Sequence, residues 1–145
     1  VSICCSKPSF MTAMREAIVE RLQAAAPVYA LVPPASIYGE QPPAAPAWPF
    51  IRYGMPTTQQ YESSCGEGSE HDIMIDVFAH GPGMDACAKI CAAVALSLDN
   101  AELDIDPLGL VSIDWTGSQI IRDGAEQSAY HGMVRFTAIT INEES

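Results

Sequence analysis

The stretch from His71 to Leu98 constrains the fold more than any other part of the chain. From position 72 to 79, β-branched and small apolar residues alternate with Asp72, Met74, Asp76 and Phe78, which point to the opposite face. This alternation predicts a strand with one buried face. Gly81-Pro82-Gly83 ends this strand, and from Met84 the apolar period becomes helical. The predicted buried positions are Ile73, Ile75, Val77 and Ala79 in the strand and Cys87, Ile90, Cys91, Val94 and Leu98 in the helix.

The remaining elements predict an α+β domain. A first helix is expected from Ser9 or Thr12 to about Ala26, followed by a Pro-rich stretch over 27–49 with a short edge strand near 36–39. Further strands are expected at 50–54, 110–121 and 129–141, and the stretch 57–70 is interpreted as a strand end and a loop. This order predicts a mostly antiparallel sheet of four to five strands with two helices packed on one face.

Length and composition limit the class of protein. With 145 residues, the chain is expected to form an extension over 1–10 and a single domain over 11–145. The net charge of −11 argues against nonspecific binding to nucleic acids or anionic membranes, and no apolar run is long enough to cross a membrane. The first ten residues lack a secretion signal, so we expect synthesis and retention in the cytoplasm.

Few residues suggest chemistry. No nucleotide-binding, nucleophile-elbow or metalloprotease motif occurs, so we expect no enzyme, no cofactor and no metal. Cys87 and Cys91 could join His80 at a metal, but their place on the apolar stripe favours small buried hydrophobes. Asp72 and Asp76 share a strand face and could act as a carboxylate pair, although a solvated face explains both more simply.

Apolar residues also occur on the faces that should meet water. Met74, Phe78 and Ile139 lie on the second face of their strands, and Ala92, Ala93 and Leu96 lie opposite the buried helical stripe. A single copy would leave these groups wet. We therefore expect an oligomer interface that includes Met74, Phe78, Ala92, Leu96 and Ile139.

The serial order of several phrases resembles one known family. These phrases are MREAIVERLQA, VYALVPPASIYG, PPAAPAWPFIRYG, HDIMIDVFAH, LSLDNAELDI and IIRDGAEQSAYHGMVRFTAI. Together they resemble the tail terminator family, also called tail completion or tail-to-head joining proteins, of long-tailed bacteriophages and gene transfer agents. The resemblance covers about Met11 to Ile141 and rests on pattern, because no single phrase is diagnostic.

This resemblance implies a structural virion protein without catalytic residues, assembled in the host bacterial cytoplasm. Such proteins form a hexameric ring at the head-proximal end of the tail tube, where they stop tube growth and contact the head-side connector. The implied partners are other copies of the chain, the tail-tube protein and the connector or stopper, and double-stranded DNA passes through without specific binding. In such a ring, acidic loop residues would line the channel or meet a neighbour: Glu62, Glu67, Glu70, Asp72, Asp123 and Glu126.

Other functions remain open at this stage. Within the same class, the chain could be another connector ring, such as a stopper or adaptor, or a tail-tube subunit. From other classes, it could be a small cytosolic ligand-binding domain, or a hydrolase that uses Asp72, Asp76 and a histidine.

Overall fold

A computed structural model describes residues 8–39, 41–54, 57–60, 69–105, 109–122 and 129–140. Over these ranges the chain forms three α-helices, a short 3-10 turn at Pro34–Ser36 and seven strands. None of the helices in the described part is long and apolar enough to cross a membrane. The helices are α1 (Pro8–Ala24), α2 (Ala26–Tyr29) and α3 (Asp85–Leu98), and the strands are β1 (Ile37–Tyr38), β2 (Phe50–Tyr53), β3 (Thr57–Gln60), β4 (Ser69–His80), β5 (Ala101–Ile105), β6 (Gly109–Arg122) and β7 (Ala129–Thr140).

All seven strands belong to one sheet with the order β1-β2-β4-β7-β6-β5, and β3 pairs with the first part of β4. Every pairing is antiparallel except that of β1 with β2. The α+β class and the mostly antiparallel sheet are as predicted, but the sheet is larger than four to five strands. The additional strands are β3 and β5. β3 contains no apolar residue, and β5 alternates buried Ala101, Leu103 and Ile105 with acidic residues but is only five residues long.

The helices cover one face of this sheet, which we call the inner face. Ile75 and Val77 of β4 are fully buried there, as are Val134 and Ala138 of β7. The predicted apolar stripe of α3 packs on these residues, since Cys87, Ile90, Cys91, Val94 and Leu98 are all buried. The alternation and the helical period therefore predicted the inner face of the central strand and helix correctly.

The first helix is displaced from its predicted bounds. α1 begins at Pro8, within the stretch assigned to the extension, and ends at Ala24 rather than Ala26. A second short helix follows directly, with Pro27 in its first turn, where a missing N–H costs no hydrogen bond. Met14, Ile18 and Leu22 of α1 are buried in the common core, as their spacing predicts.

α3 and the sheet approach each other closely at Gly132 of β7. A Cβ atom at this position would overlap Sγ of Cys91 and lie 3.1 Å from Sγ of Cys87. Cys87 and Cys91 are therefore small side chains held tightly between helix and strand. The hydrogen bond with Cys87 and burial both raise the pKa of the Cys91 thiol, which keeps it protonated.

Candidate functional site

The face of the sheet away from the helices, which we call the outer face, carries the polar residues of the central strands. Strand register places Arg52 of β2 beside Asp76 of β4, and places His131 of β7 beside Phe78. Asp76 is only 1% exposed on this face. The prediction of a solvated aspartate at position 76 is therefore wrong.

Asp76 is buried because it is paired on both sides. Nε and Nη2 of Arg52 donate to its Oδ2 at 3.2 and 3.0 Å, and Nε2 of His131 donates to its Oδ1 at 2.9 Å. Burial alone would raise the pKa of Asp76, but these hydrogen bonds and charges outweigh it and hold the pKa below its usual value. The three residues, here called the Asp76 cluster, join β2, β4 and β7 across the sheet.

Aromatic rings continue this cluster along the outer face. Phe78 is stacked between Phe50 and His131, with ring centroids at 4.7 and 4.3 Å, and the Arg52 guanidinium lies 5.2 Å from the Phe78 centroid. These contacts half-bury Phe78 within its own chain. Part of the Phe78 ring is therefore covered by residues of its own chain, and part stays accessible.

The Pro-rich stretch 41–49 lies against the same part of the outer face. The Trp48 ring is parallel to the His80 ring at a centroid distance of 4.0 Å, and it also meets Phe50 and Phe78 edge-on. A cavity of about 470 Å³ separates the stretch from the sheet, lined by Gln41, Pro42, Pro43, Ala44, Ala45, Pro46, Trp48, Phe50, Arg52 and Phe78. Sequence reasoning interpreted this stretch as a stiff connector; it also covers part of the sheet.

The other residues assigned to an oligomer interface divide between the two sides of the molecule. Met74 and Ile139 are half-buried on the outer face. Ala92 and Leu96 are exposed on α3, and Leu96 is 73% exposed, more than any other large apolar residue that is described. The expectation that Ala93 faces outward is wrong, because its side chain is buried between α3 and the core.

An apolar groove that the sequence did not reveal runs between α3 and β6. Its volume is about 680 Å³, and its walls include Ala92, Ala95 and Leu96 on one side and Trp115 and Ile120 on the other. Trp115 remains 45% exposed even though its ring nitrogen donates to Ser118 Oγ at 2.9 Å. A register shift follows between Trp115 and Gly117, and sequence periodicity does not predict such a bulge.

The predicted acidic residues are only partly described. Asp72 is exposed on β4, where Thr137 Oγ1 donates to its Oδ1 at 3.5 Å, and Glu70 is half-buried rather than exposed. The other four, Glu62, Glu67, Asp123 and Glu126, lie outside the described residues. No group of three or more His, Cys, Asp or Glu side chains in the described ranges is arranged to hold a metal ion.

Comparison with known proteins identifies what this arrangement resembles. A family model described as "Tail completion protein gp17" matches residues 16–141. A search of curated proteins finds no match. A solved chain described as "Virion of native gene transfer agent (GTA) particle" superimposes with a TM-score of 0.81 at 23% identity, over 93% of this chain and 99% of that one. A second solved chain superimposes with a TM-score of 0.62 at 12% identity, over 93% and 98%.

Proposed function

The chain belongs to the tail completion protein gp17 family, and from that premise we propose that it forms a ring that ends the tail tube at its head-proximal side. The role is structural: the ring stops addition of tube subunits, contacts the head-side connector and leaves a channel for DNA. The family match over residues 16–141 is the observation that carries this proposal. Six copies is the expected number, as the family resemblance implies.

The distribution of apolar surface supports assembly of several copies. Leu96 is 73% exposed on α3, and Trp115 is 45% exposed across the groove from it. Removing a side chain of this size from water contributes about 1.5–3 kcal/mol, so a contact that covers both would stabilise an oligomer. Ala92 and Leu96 therefore belong to the proposed interface, together with the half-buried Met74, Phe78 and Ile139 of the outer face.

The charge of the chain suits a channel for DNA. Each copy has a net charge of −11, and a ring repeats that charge around its axis. A negative lumen repels the phosphate backbone and lets DNA slide without binding. We assign Asp72 and Glu70 to this acidic lining or to a docking surface, with Glu62, Glu67, Asp123 and Glu126.

The decisive experiment adds the purified protein to growing tail tubes and measures tube length and end structure by negative-stain electron microscopy. We expect shorter tubes with a ring at one end, and a discrete ring-sized species by light scattering without tubes. The matched control is Val94→Asp, which places an unpaired carboxylate at a fully buried position and prevents folding.

Three results would contradict the proposal. A protein that stays monomeric at high concentration, with no ring in assembled particles, would exclude ring formation. Binding to tailless heads with no effect on tube length would identify a stopper or adaptor on the head side, and co-polymerisation along the whole tube would identify a tube subunit.

A further inference from the structure

Two edges of the sheet have backbone groups that pair with no other strand in the described part of the chain. On one side, β5 pairs only with the first part of β6, up to Ile113, and the rest of β6 has a free edge as far as Arg122. On the other side, β3 pairs with β4 alone. The strands between these edges follow the order β3-β4-β7-β6, so the free edges lie on opposite sides of the sheet.

The β6 edge is accessible over residues 118–122. The backbone N–H of Trp115 points away from β7, because it donates to Asp99 Oδ1 at 2.9 Å. In an antiparallel ladder every second residue points this way, and the bulge after Trp115 shifts the alternation by one residue. Beyond the bulge, the residues whose backbone N–H and C=O point outward are Ser118, Ile120 and Arg122. Four of the five residues in this segment are exposed, so a second strand can reach these groups.

The outward backbone groups of β3 follow from the same alternation. Gly54 N–H donates to Met74 O at 2.7 Å, so the even-numbered residues of β4 point toward β2 and β3. Two of the four β3 residues exchange hydrogen bonds with these even-numbered residues, which leaves the backbone of Thr58 and Gln60 pointing outward.

Neither free edge carries the groups that usually keep strand edges apart. Those groups are charged side chains and prolines. The chain has 7 basic, 18 acidic and 11 proline residues, but none of them lies in β3 or between Trp115 and Ile121. The bulge in β6 precedes the open segment and does not block it. Unpaired edges of this composition favour pairing with another strand.

We infer that the free edge of β6 in one copy pairs with β3 of the next copy, an inference that rests on the proposed ring. From β3 to β6 there are four strands, each antiparallel to its neighbour, so β6 runs opposite to β3. Copies that follow one another around a ring axis therefore bring these two strands together in the antiparallel sense. The two edges are different patches that face opposite directions, which is the heterologous contact that a closed ring requires.

The positions of the two edges along the strands suit a closed sheet. β3 lies opposite residues 69–72 of β4, whereas the open part of β6 is level with residues 75–79 of β4. Pairing of these edges offsets each copy along the strand direction relative to the one before. Such a stagger tilts the strands relative to the axis, as closure of a sheet requires.

The β6 edge is tested by Ser118→Pro, with Ser118→Ala as the matched control. Proline removes an outward N–H at a position where a strand tolerates it. Ser118→Ala keeps the N–H but, like the proline variant, loses the hydroxyl that accepts from Trp115 Nε1. In sedimentation velocity, Ser118→Pro should raise the protein concentration needed for ring assembly at least about tenfold relative to Ser118→Ala. Thr58→Pro and Thr58→Ala test the β3 edge in the same way.

Cross-linking tests the pairing of the two strands directly. Two registers pair two outward residues of each strand; one places Gln119 opposite Gln59, and the other places Ile121 opposite Gln59. These are non-hydrogen-bonded pairs, whose short separation of about 4.5 Å between Cα atoms lies within the range for a disulfide. Under mild oxidation, Gln59→Cys combined with Gln119→Cys or with Ile121→Cys should give a ladder of covalent oligomers on a non-reducing gel. Each single variant should match the wild type.

The outcomes separate this contact from the ring itself. If Ser118→Pro forms rings at the same concentration as Ser118→Ala, or if the wild type forms rings and neither double-cysteine variant gives a ladder, β6 and β3 do not meet and another surface closes the ring. Normal rings of Ser118→Pro that no longer dock on tail tubes would assign the β6 edge to a different protein and would also overturn the contact between copies. If thermal unfolding shows that Ser118→Pro is unstable, the cross-links decide. If the wild type forms no ring alone or in particles, the proposed function fails and this contact with it.

Discussion

Asp76 is the residue whose environment departs most from what its position in the sequence suggests. A carboxylate 1% exposed on a sheet face is stable only because Arg52 and His131 satisfy both of its oxygens. Replacing such a buried pair with well-packed apolar residues is often neutral, whereas removing one partner is costly. We infer that the Asp76 cluster contributes more to the alignment of β2, β4 and β7 than to net stability.

We predict that Asp76→Asn lowers the free energy of unfolding by about 2–4 kcal/mol, because the Arg52 guanidinium loses its counter-charge and one of the two carboxylate oxygens that accept from Arg52 and His131 becomes an NH2 donor. Arg52 is partly exposed and can recover some hydration, which moderates the loss. Asp72→Asn is the matched control: it lies on the same face of the same strand but is exposed, and it should change stability by less than about 0.5 kcal/mol. Urea titration of both variants checks this, and equal effects would contradict it.

The pH dependence of the Asp76 contribution follows from its lowered pKa. The folded pKa lies below the ordinary value of 3.8, so the stabilisation is fully present above pH 3.8 and is lost as pH falls through the folded pKa. The difference in unfolding free energy between wild type and Asp76→Asn should accordingly be constant from pH 5 upward, an interval chosen to be about one unit above the ordinary pKa, and should shrink in stronger acid. If the difference in unfolding free energy already shrinks near neutral pH, its pH dependence comes from another titratable group.

His71 predicts a separate effect at milder pH. Burial lowers the pKa of His71 from 6.5, with nearby Asp72 opposing the shift, so the folded imidazole stays neutral where the unfolded one takes a proton. The contribution of neutral His71 to stability is therefore fully present above pH 6.5. It is lost as pH decreases toward the folded pKa, by up to about 1.4 kcal/mol per pH unit. Unfolding titrations from pH 7.5 to 5 should show this slope, and His71→Gln should flatten it.

Contact between helix and strand depends on a single glycine. α3 lies so close to β7 that a Cβ at Gly132 would overlap Cys91 Sγ. The same proximity explains why positions 87 and 91 of the buried stripe hold cysteine, a small residue. The glycine does not stand out in the sequence, because its significance is a distance between elements.

Gly132→Ala should lower the free energy of unfolding by about 1–3 kcal/mol, since a packed core resists an added methyl group. The second change Cys91→Ala removes the overlapping sulfur and should restore much of the loss. Gly117→Ala is the control, because a Cβ at Gly117 in β6 would meet nothing within 4 Å. Thermal unfolding of the three variants measures this, and an undisturbed Gly132→Ala protein would show that α3 shifts outward at little cost.

At the scale of the whole molecule, the proposed ring repeats each exposed charge of one copy around its axis. Asp72→Lys changes one exposed side chain but alters the charge of every copy, so it should leave the fold intact and impair DNA delivery or docking. The defect should weaken in higher salt, because exposed charges are screened. Glu16→Lys, at an exposed position of α1, is the matched charge reversal. Particles of Asp72→Lys that deliver DNA normally at low and high salt would show that Asp72 only adds solubility.

Local patterns in the sequence were sufficient for much of the architecture. Alternation from Asp72 to Ala79 depends only on the two-residue repeat of a strand, and the stripe from Cys87 to Leu98 depends only on the helical repeat. Both periods identify which side of an element is buried without reference to any other element. The α+β class, the inner face and the family resemblance could therefore be predicted from the sequence alone.

The tertiary structure decided which residues meet. Asp76 lies 24 residues from Arg52 and 55 from His131, and only the register of three strands brings them together. The bulge at Trp115, the pairing of β3 and β5, and the contact of Gly132 with Cys91 likewise depend on register and separation between elements. The periodicity of a sequence predicts the face of a helix or strand on which a side chain lies. What lies opposite that side chain is determined by long-range packing, which local periodicity does not encode.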